Sequence, residues 1–552
     1  MWHSYRWVSF KYRLKEIYFI FVDKFSLVLL KLVVFCCKHL PLKILPYVLR
    51  LVRKPLRLVM NYCYLRAVCT YRVSFLEKSA AVARLMFKFS DDSYGAKVID
   101  PRLAESVARI LLLSGQREAA TKLLQTPCEV DALPERLIQR ASSHFDLGDF
   151  SQCQKILDEY INRSNTFTQF ARILQIENPR QGKNRDWYDI ISLDAAKEFN
   201  FSLPKVYPQR MQHSPEKTIM LAPEQIYHLR NAEIFHGHLV VGGGDCLFLY
   251  DPSARPCFHS VAGYQNRIYG SHFQMHSGLL SGSYEKVQKI DSAILLNGRC
   301  GNNYFHWLIE YLSRYCSIQK LPKLTNVPLL IDATLGVPSR EVLQMIAPNA
   351  PIVLMDQQTK YEVENLYIPS FHTFHPDNQE LPFWVGSGIS HAHLSFLREA
   401  AYRHATILPP TRRLFLTRAT QRRSIGNNQE LARLLQKYNF ESVDPGALNF
   451  IQQVELFASA RYIVGGGGAA FTNLIFCQPE CTVIGLVSPQ LEDFCMQSNL
   501  ADFAGSEFIY VSGQSDISFY STLNRVWGIH TNYAIPPQKL EAVLQKVLAN
   551  EL

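Results

Sequence analysis

Three groups of residues have types and spacings that can do chemistry. In GNNYFHWLIEYLSRY, residues 301–315, His306, Glu310 and Arg314 recur every four residues. On a helix that spacing puts them on one face. A histidine there can take a proton from an attacking hydroxyl, and a carboxylate one turn away can hold the imidazole tautomer. Asn302 and Asn303 stand with His306 where the carboxyl end of the preceding strand meets the N-terminus of the same helix. The pattern equally describes a surface salt-bridge ladder behind a capping asparagine. The second group is RATQRR, Arg418–Arg423. Arginine forks bind a diphosphate in a bidentate way, so Arg418 and Arg423 are candidates for a donor diphosphate; a solvated basic loop reads the same. The third is RYIVGGGGAAFTNLIF, residues 461–476. Gly465, Gly466, Gly467 and Gly468 can form a backbone nest at a helix N-terminus, open to a phosphate or a sugar. Gly465, Gly467 and Ala470 also fit G-x-G-x-x-A, but the match falls late in its half and lacks an acidic residue about 20 positions on, which argues against nicotinamide chemistry.

Alternating elements must position these groups. From Arg412, RRLFLTR, FESV, RYIV and CTVIGL read as strands, with NQELARLLQKY, FIQQVELFASA and AAFTNLIF as helices between them. That alternation predicts a parallel sheet, whose ligands bind at the carboxyl ends of strands. Both the arginine loop and the glycine run lie at such ends. Glu455, on the helix before the glycine run, is a candidate acceptor for a ribose hydroxyl or a surface residue. Upstream, SAILLNG, VPLLID, APIVLM and VENLYIPS read as strands of a second α/β region. HLVVGGGDCLFLYD reads as a hairpin rather than a phosphate loop. The resulting division is 166–287, a β-rich start of the body; 288–405, a Rossmann-like acceptor half; and 406–552, a Rossmann-like donor half with a C-terminal helix.

The N-terminal region differs in charge. The chain of 552 residues carries +10, but residues 1–78 hold 15 Lys/Arg against 3 Asp/Glu, a net +12. The body is therefore slightly acidic, which argues against a nucleic-acid surface there. Lys24, Lys31 and Lys38 repeat every seven residues, as do Lys43, Arg50 and Arg57, among Phe, Leu, Val and Ile. Asp23, Lys24 and Lys31 would each cost about 2.5–3.5 kcal/mol at a bilayer centre. Residues 1–90 are therefore expected to lie on an anionic membrane surface, chiefly through 1–60, rather than to span it. Residues 91–165 show one 33-residue interval, from Gly115 to Gly148, similar to tetratricopeptide helix pairs: a spacer or a surface for a protein partner. Thirteen scattered cysteines without C-x-x-C predict reduced thiols.

Three segments together resemble glycosyltransferase family 61. They are GNNYFHWLIEYLSRY, RRLFLTRATQRRSIGNNQELARLL, and DPGALNFIQQVELFASARYIVGGGGAAFTNLIF, in the family's order and spacing, within about 220–540. The resemblance implies an α/β fold of two Rossmann-like halves, the GT-B type, here behind an α-helical N-terminal region. It implies an inverting transfer from a nucleotide sugar to a glycan or lipid-linked acceptor, as in capsule or lipopolysaccharide assembly at the cytoplasmic face of a bacterial inner membrane. His306, Glu310 and Asn303 are then the catalytic candidates. Arg418, Arg423, Gly465–Gly468, Asn473 and Glu455 are the donor-binding ones. No cofactor or metal is expected, since the chain has no Asp-x-Asp. The family often has Gly-Pro-His-Gly-Ala-Gly before Leu-Thr-Asn; here Gly466 and Gly467 replace the Pro and His, and Ala470 the last Gly. The alternative is a weak or inactive transferase-like scaffold that uses its helical repeats to bind a protein.

Overall fold

The computed structural model describes scattered positions between 118 and 149, residues 150–162, and 168–549 except 178, 180–184, 208–217, 251–267, 271–276, 299, 375–387, 418–423, 493 and 516–531. Residues 1–90, and with them the expected membrane-surface segment, lie outside the described residues, as does most of 91–165. Among the described residues no helix is long and apolar enough to cross a membrane. Helix α1, Phe150–Asn162, buries Cys153, Ile156, Leu157 and Tyr160, a stripe at helical spacing. Asp149 accepts the Gln152 N–H at its start, and Gly148 supplies the turn before it at φ 77°.

Thr166–Ser515 and His530–Leu552 belong to one unit built on two large sheets. In the first sheet the strands nearest the site are β1 (Glu224–Phe235), β2 (Lys286–Leu295), β3 (Leu329–Asp332), β4 (Ile352–Met355) and β5 (Thr359–Pro369). Their order is β4-β3-β2-β5-β1, parallel from β4 to β5 and antiparallel between β5 and β1. Beyond β1 the same sheet continues through strands of 168–284, antiparallel except where Gln175–Glu177 runs parallel to Cys246–Phe248. The β-rich start and the acceptor half thus share one sheet, because β1 and β5 pair over most of their length. The hairpin read at Leu239–Phe248 is present, with Gly243 and Gly244 at positive φ. A Cβ on Gly242 or Gly243 would come within 2.7 Å of the Trp187 ring, so these glycines serve packing.

The second sheet contains β6 (Arg412–Leu416), β7 (Glu441–Val443), β8 (Ala460–Gly466), β9 (Thr482–Val487) and β10 (Glu507–Ser512). The order is β7-β6-β8-β9-β10, all parallel, with Lys205–Tyr207 added at the β10 edge. Short crossovers carry the apolar faces that cover it. Phe415, Leu431, Leu435, Val464, Ile484 and Leu544 share one core. The helices of this unit are α2 (Tyr315–Gln319), α3 (Val337–Ile346), α4 (His391–Tyr402), α5 (Asn428–Lys437), α6 (Phe450–Ala458), α7 (Met496–Phe503) and α8 (Pro537–Val547). Asn449 caps α6 with a full capping box to Gln452.

Candidate active site

The first site element grows from the carboxyl end of β2. After Leu295 the chain turns tightly: the Gly301 N–H reaches the Gly298 carbonyl at 3.2 Å, and Cys300 takes φ 54°. A side chain at 301 would begin 1.8 Å from Asn297 Oδ1, so only glycine lets the backbone pass. Asn303 is exposed, and its side chain accepts the Phe305 N–H at 3.0 Å, fixing the entry to the helix. His306–Tyr311 is then a π-helix, passing through a 3-10 turn at Leu312–Arg314 into α2. Single π turns are frequent where a helix presents functional groups.

His306 Nδ1 and Glu310 Oε2 are 2.6 Å apart. The Glu310 side chain is 2 % exposed and that of His306 14 %, so this is no surface ladder. Arg314, read as the third member of that ladder, is fully buried, its guanidinium on the Phe371 ring and the Pro369 carbonyl. With the carboxylate ionised, Nδ1 carries the proton and donates to Glu310. Nε2 is then the nitrogen able to accept one. The arrangement can take a proton from a hydroxyl and stabilise the resulting imidazolium through a short charge-assisted bond.

The second element follows β8. Gly465 and Gly466 are still strand residues, paired with Gly485 and Leu486. The Gly467 N–H donates to the Leu486 carbonyl at 3.0 Å. The run is therefore partly ladder, and the nest expected from four glycines is confined to its end. Gly465 is tightly packed: a Cβ would lie 3.0 Å from Leu416 Cβ and 3.3 Å from Phe471. At Gly467 it would meet Val487 at 3.2 Å and Gln497 at 3.5 Å, so the missing histidine side chain is matched by neighbours that fill its starting point. Gly466–Ala470 are half-buried. Gly468 opens a 3-10 helix, Ala469–Phe476, that buries Phe471 through Phe476.

A hydrogen bond joins the two elements. Tyr304 Oη donates to Asn473 Oδ1 at 2.7 Å, and Asn473 Nδ2 donates to Gln453 Oε1 at 2.7 Å. Burial raises the Tyr304 phenol well above its ordinary range, with Asn473 opposing, so it stays a donor. The two carboxyl-end crossovers therefore meet, two residues before His306 on one side and five after Gly468 on the other. Asn473, read from the sequence as part of a donor floor, sits at that junction. The residue is fully buried and its amide is engaged at both ends, so it holds the crossovers together.

Glu455, read as a ribose acceptor or a surface residue, lies apart from the glycine run. Its carboxylate accepts the Thr406 N–H at 2.8 Å, near the end of α6, beside the start of β8. Five strand residues, Ala460–Val464, about 17 Å, separate that edge from the glycine run. Arg418 and Arg423 lie outside the described residues. Leu416, at the end of the strand before their loop, pairs with Gly465, and Gly426 beyond it donates to the Tyr533 carbonyl at 2.7 Å. Tyr533 itself lies against Gly466 and donates to the Leu486 carbonyl, a neighbour no sequence pattern marked.

Sheets with parallel strands, and polar groups at their carboxyl-end crossovers, fit a glycosyltransferase-like α/β fold. Residues 304–484 match the family model Glycosyltransferase 61. The match begins at Tyr304, spans the His306–Glu310 pair and the glycine run, and ends in β9. That region is similar to glycosyltransferases of the family. No curated protein matches the chain.

Proposed function

We propose that the chain transfers a sugar, with inversion, from a nucleotide-sugar donor to a glycan or lipid-linked acceptor. The observation that carries this reading is the buried His306–Glu310 pair at 2.6 Å, within a family 61 region. His306 Nε2 takes the proton of the acceptor hydroxyl as the hydroxyl oxygen attacks the anomeric carbon. The bond from that carbon to the donor diphosphate breaks, and the charge leaves on the diphosphate. Glu310 holds the imidazole and stabilises its charged form, while Asn303 fixes the helix entry. Arg418, Arg423 and the backbone from Gly466 to Gly468 receive the diphosphate charge, a role that fixed donors perform without added Mg²⁺ or Mn²⁺. Work at the cytoplasmic face of a bacterial membrane, in capsule or lipopolysaccharide assembly, suits the basic, apolar character of residues 1–60.

A second reading is favoured by one observation, the filled space at Gly467: a transferase-like scaffold without turnover, acting through 91–165. Thermal shift against a panel of nucleotide sugars separates the two, because a ligand of the folded state raises its melting temperature. The transferase reading expects a shift with one donor, reduced in Arg418→Ala. No shift with any donor would favour the scaffold.

A further inference from the structure

Away from the His306–Glu310 pair, three buried side chains converge that the transfer reaction does not use. Glu224 opens β1, His372 comes three residues after β5, and His393 lies in the first turn of α4; each is at most 6 % exposed. One ligand-capable atom from each lies within 4.8 Å of the other two. The segments are tied together by the Ser390 N–H on the His372 carbonyl, at 2.9 Å. The two imidazole rings stack with centroids 3.6 Å apart.

The hydrogen bonds around the group are uneven. His393 Nδ1 is in hydrogen-bond contact with Ser390 Oγ at 3.0 Å, while His393 Nε2 is buried and has no partner among the described residues. A buried polar atom left this way costs about 1–3 kcal/mol. An imidazole anchored through one nitrogen, with the other bare, has the arrangement of a metal ligand. Burial, with Lys320 and Lys197 adding to it, lowers His393 to about 4, although Glu224 opposes. Burial likewise lowers His372 well below its ordinary value, with His393 and Arg314 contributing. Glu224 Oε1 accepts from Ser317 Oγ at 2.8 Å, and Oε2 from Lys320 Nζ at 2.6 Å. Ser317 Oγ is also 3.2 Å from His372 Nε2, so a fourth oxygen stands at the cluster.

We propose that Glu224, His372 and His393 form a structural divalent-metal site that takes Zn²⁺. Two imidazole nitrogens and one carboxylate oxygen suit that ion, at about 2.0–2.2 Å from each ligand. Ser317 Oγ fills the fourth position, and Lys320 remains on the other carboxylate oxygen. Loading the ion splays the two rings from their stack, because an imidazole lone pair lies in the plane of its ring. The ion pins the start of β1, the segment after β5 and α4 to one another. Ser317 is eleven residues beyond His306 on the same helical run, about 15 Å along it, so the ion is separate from the proton-transfer pair.

Uptake of Co²⁺ and Zn²⁺ by the metal-depleted full chain tests this. The expected result is one equivalent of Co²⁺ with the visible absorption of a four- or five-coordinate ion, displaced by Zn²⁺. Affinity falls at least tenfold in His372→Gln and in His393→Gln, and stays unchanged in His306→Gln. No stoichiometric uptake by the wild-type chain, or uptake unaltered in both histidine variants, overturns the proposal. Should those variants not fold, X-ray absorption of the zinc-loaded wild type decides: a shell of nitrogen and oxygen is expected. A sulfur shell assigns the ion to cysteines such as Cys477 and Cys481, and overturns it.

Discussion

β2 and β8 hold the same topological place in two sheets, each an inner parallel strand whose carboxyl end runs into a helix. The crossovers that leave them are built on different physics. After β2 the chain buries charge: Glu310 and Arg314 are enclosed, and His306 is held at 2.6 Å from its carboxylate. After β8 it buries surface: Phe471, Leu474, Ile475 and Phe476 are fully enclosed, and Gly465 lets Leu416 and Phe471 close on the backbone. The first crossover encloses a histidine–carboxylate pair, the group to which the proposed proton transfer is assigned, and the second encloses apolar surface. A run of glycines is thus no phosphate signal by itself. Here Gly465 answers to packing, and the partly exposed end from Gly466 onward is the part left for a ligand.

The largest effect that could break this contrast is on turnover. His306→Ala should lower the rate by about 10²–10⁴-fold in a donor-turnover assay, the span of general acid–base catalysis. Glu310→Gln should fall between that variant and wild type, because the ring keeps a partner but loses the charge that stabilises imidazolium. A His306→Ala enzyme at wild-type rate would move the chemistry to the second crossover.

Next in size is a stability effect on the packing side. Gly465→Ala forces a methyl against Leu416 and Phe471 and should cost about 1–3 kcal/mol in denaturant unfolding. Unaltered stability would mean that the strand gives way and the glycine serves a ligand instead. Tyr304→Phe removes the bond between the crossovers and should cost about 1 kcal/mol. Donor turnover should fall with it, since the two elements lose their shared anchor; a loss of stability with unchanged turnover would show that the anchor does not position the site.

The smallest expected effect lies at the sheet edge, away from both crossovers. Arg412 meets Glu441 through two nitrogens, Nε at 2.6 Å and Nη2 at 2.8 Å, in a half-exposed pair. Arg412→Gln should cost about 0.2–1 kcal/mol. The Arg412 hydrogen bond, acting against burial, holds the Glu441 carboxyl below its ordinary 4.5. The stabilisation is therefore present above that value and is lost as pH falls through the lower folded value. Melting curves of wild type and variant should converge as pH falls through that lowered value.

Much of the second sheet was legible because each strand and helix is short and regularly alternating, and each pairs with a neighbour close in sequence. The π-helix was not, because its spacing of His306, Glu310 and Arg314 is also that of an α-helix. The merging of 166–287 with the acceptor half was hidden as well: β1 pairs with β5 across more than 120 residues, and nothing local announces it. Lys205–Tyr207 joins the β10 edge from about 300 residues upstream for the same reason. At the site, the four-residue spacing pointed to His306 and Glu310. The burial that makes them a functional pair comes from the surrounding fold. Glu455 looked close to the glycine run in sequence, yet most of a strand separates them. Glu224, His372 and His393 share no spacing, since three separate elements bring them together.

The measurement that tests the central claim most directly is release of nucleoside diphosphate from a panel of nucleotide sugars, by wild type and His306→Ala, with thermal shift on the same samples. The account predicts one donor that both proteins bind and only the wild type turns over. Equal turnover by His306→Ala would contradict it.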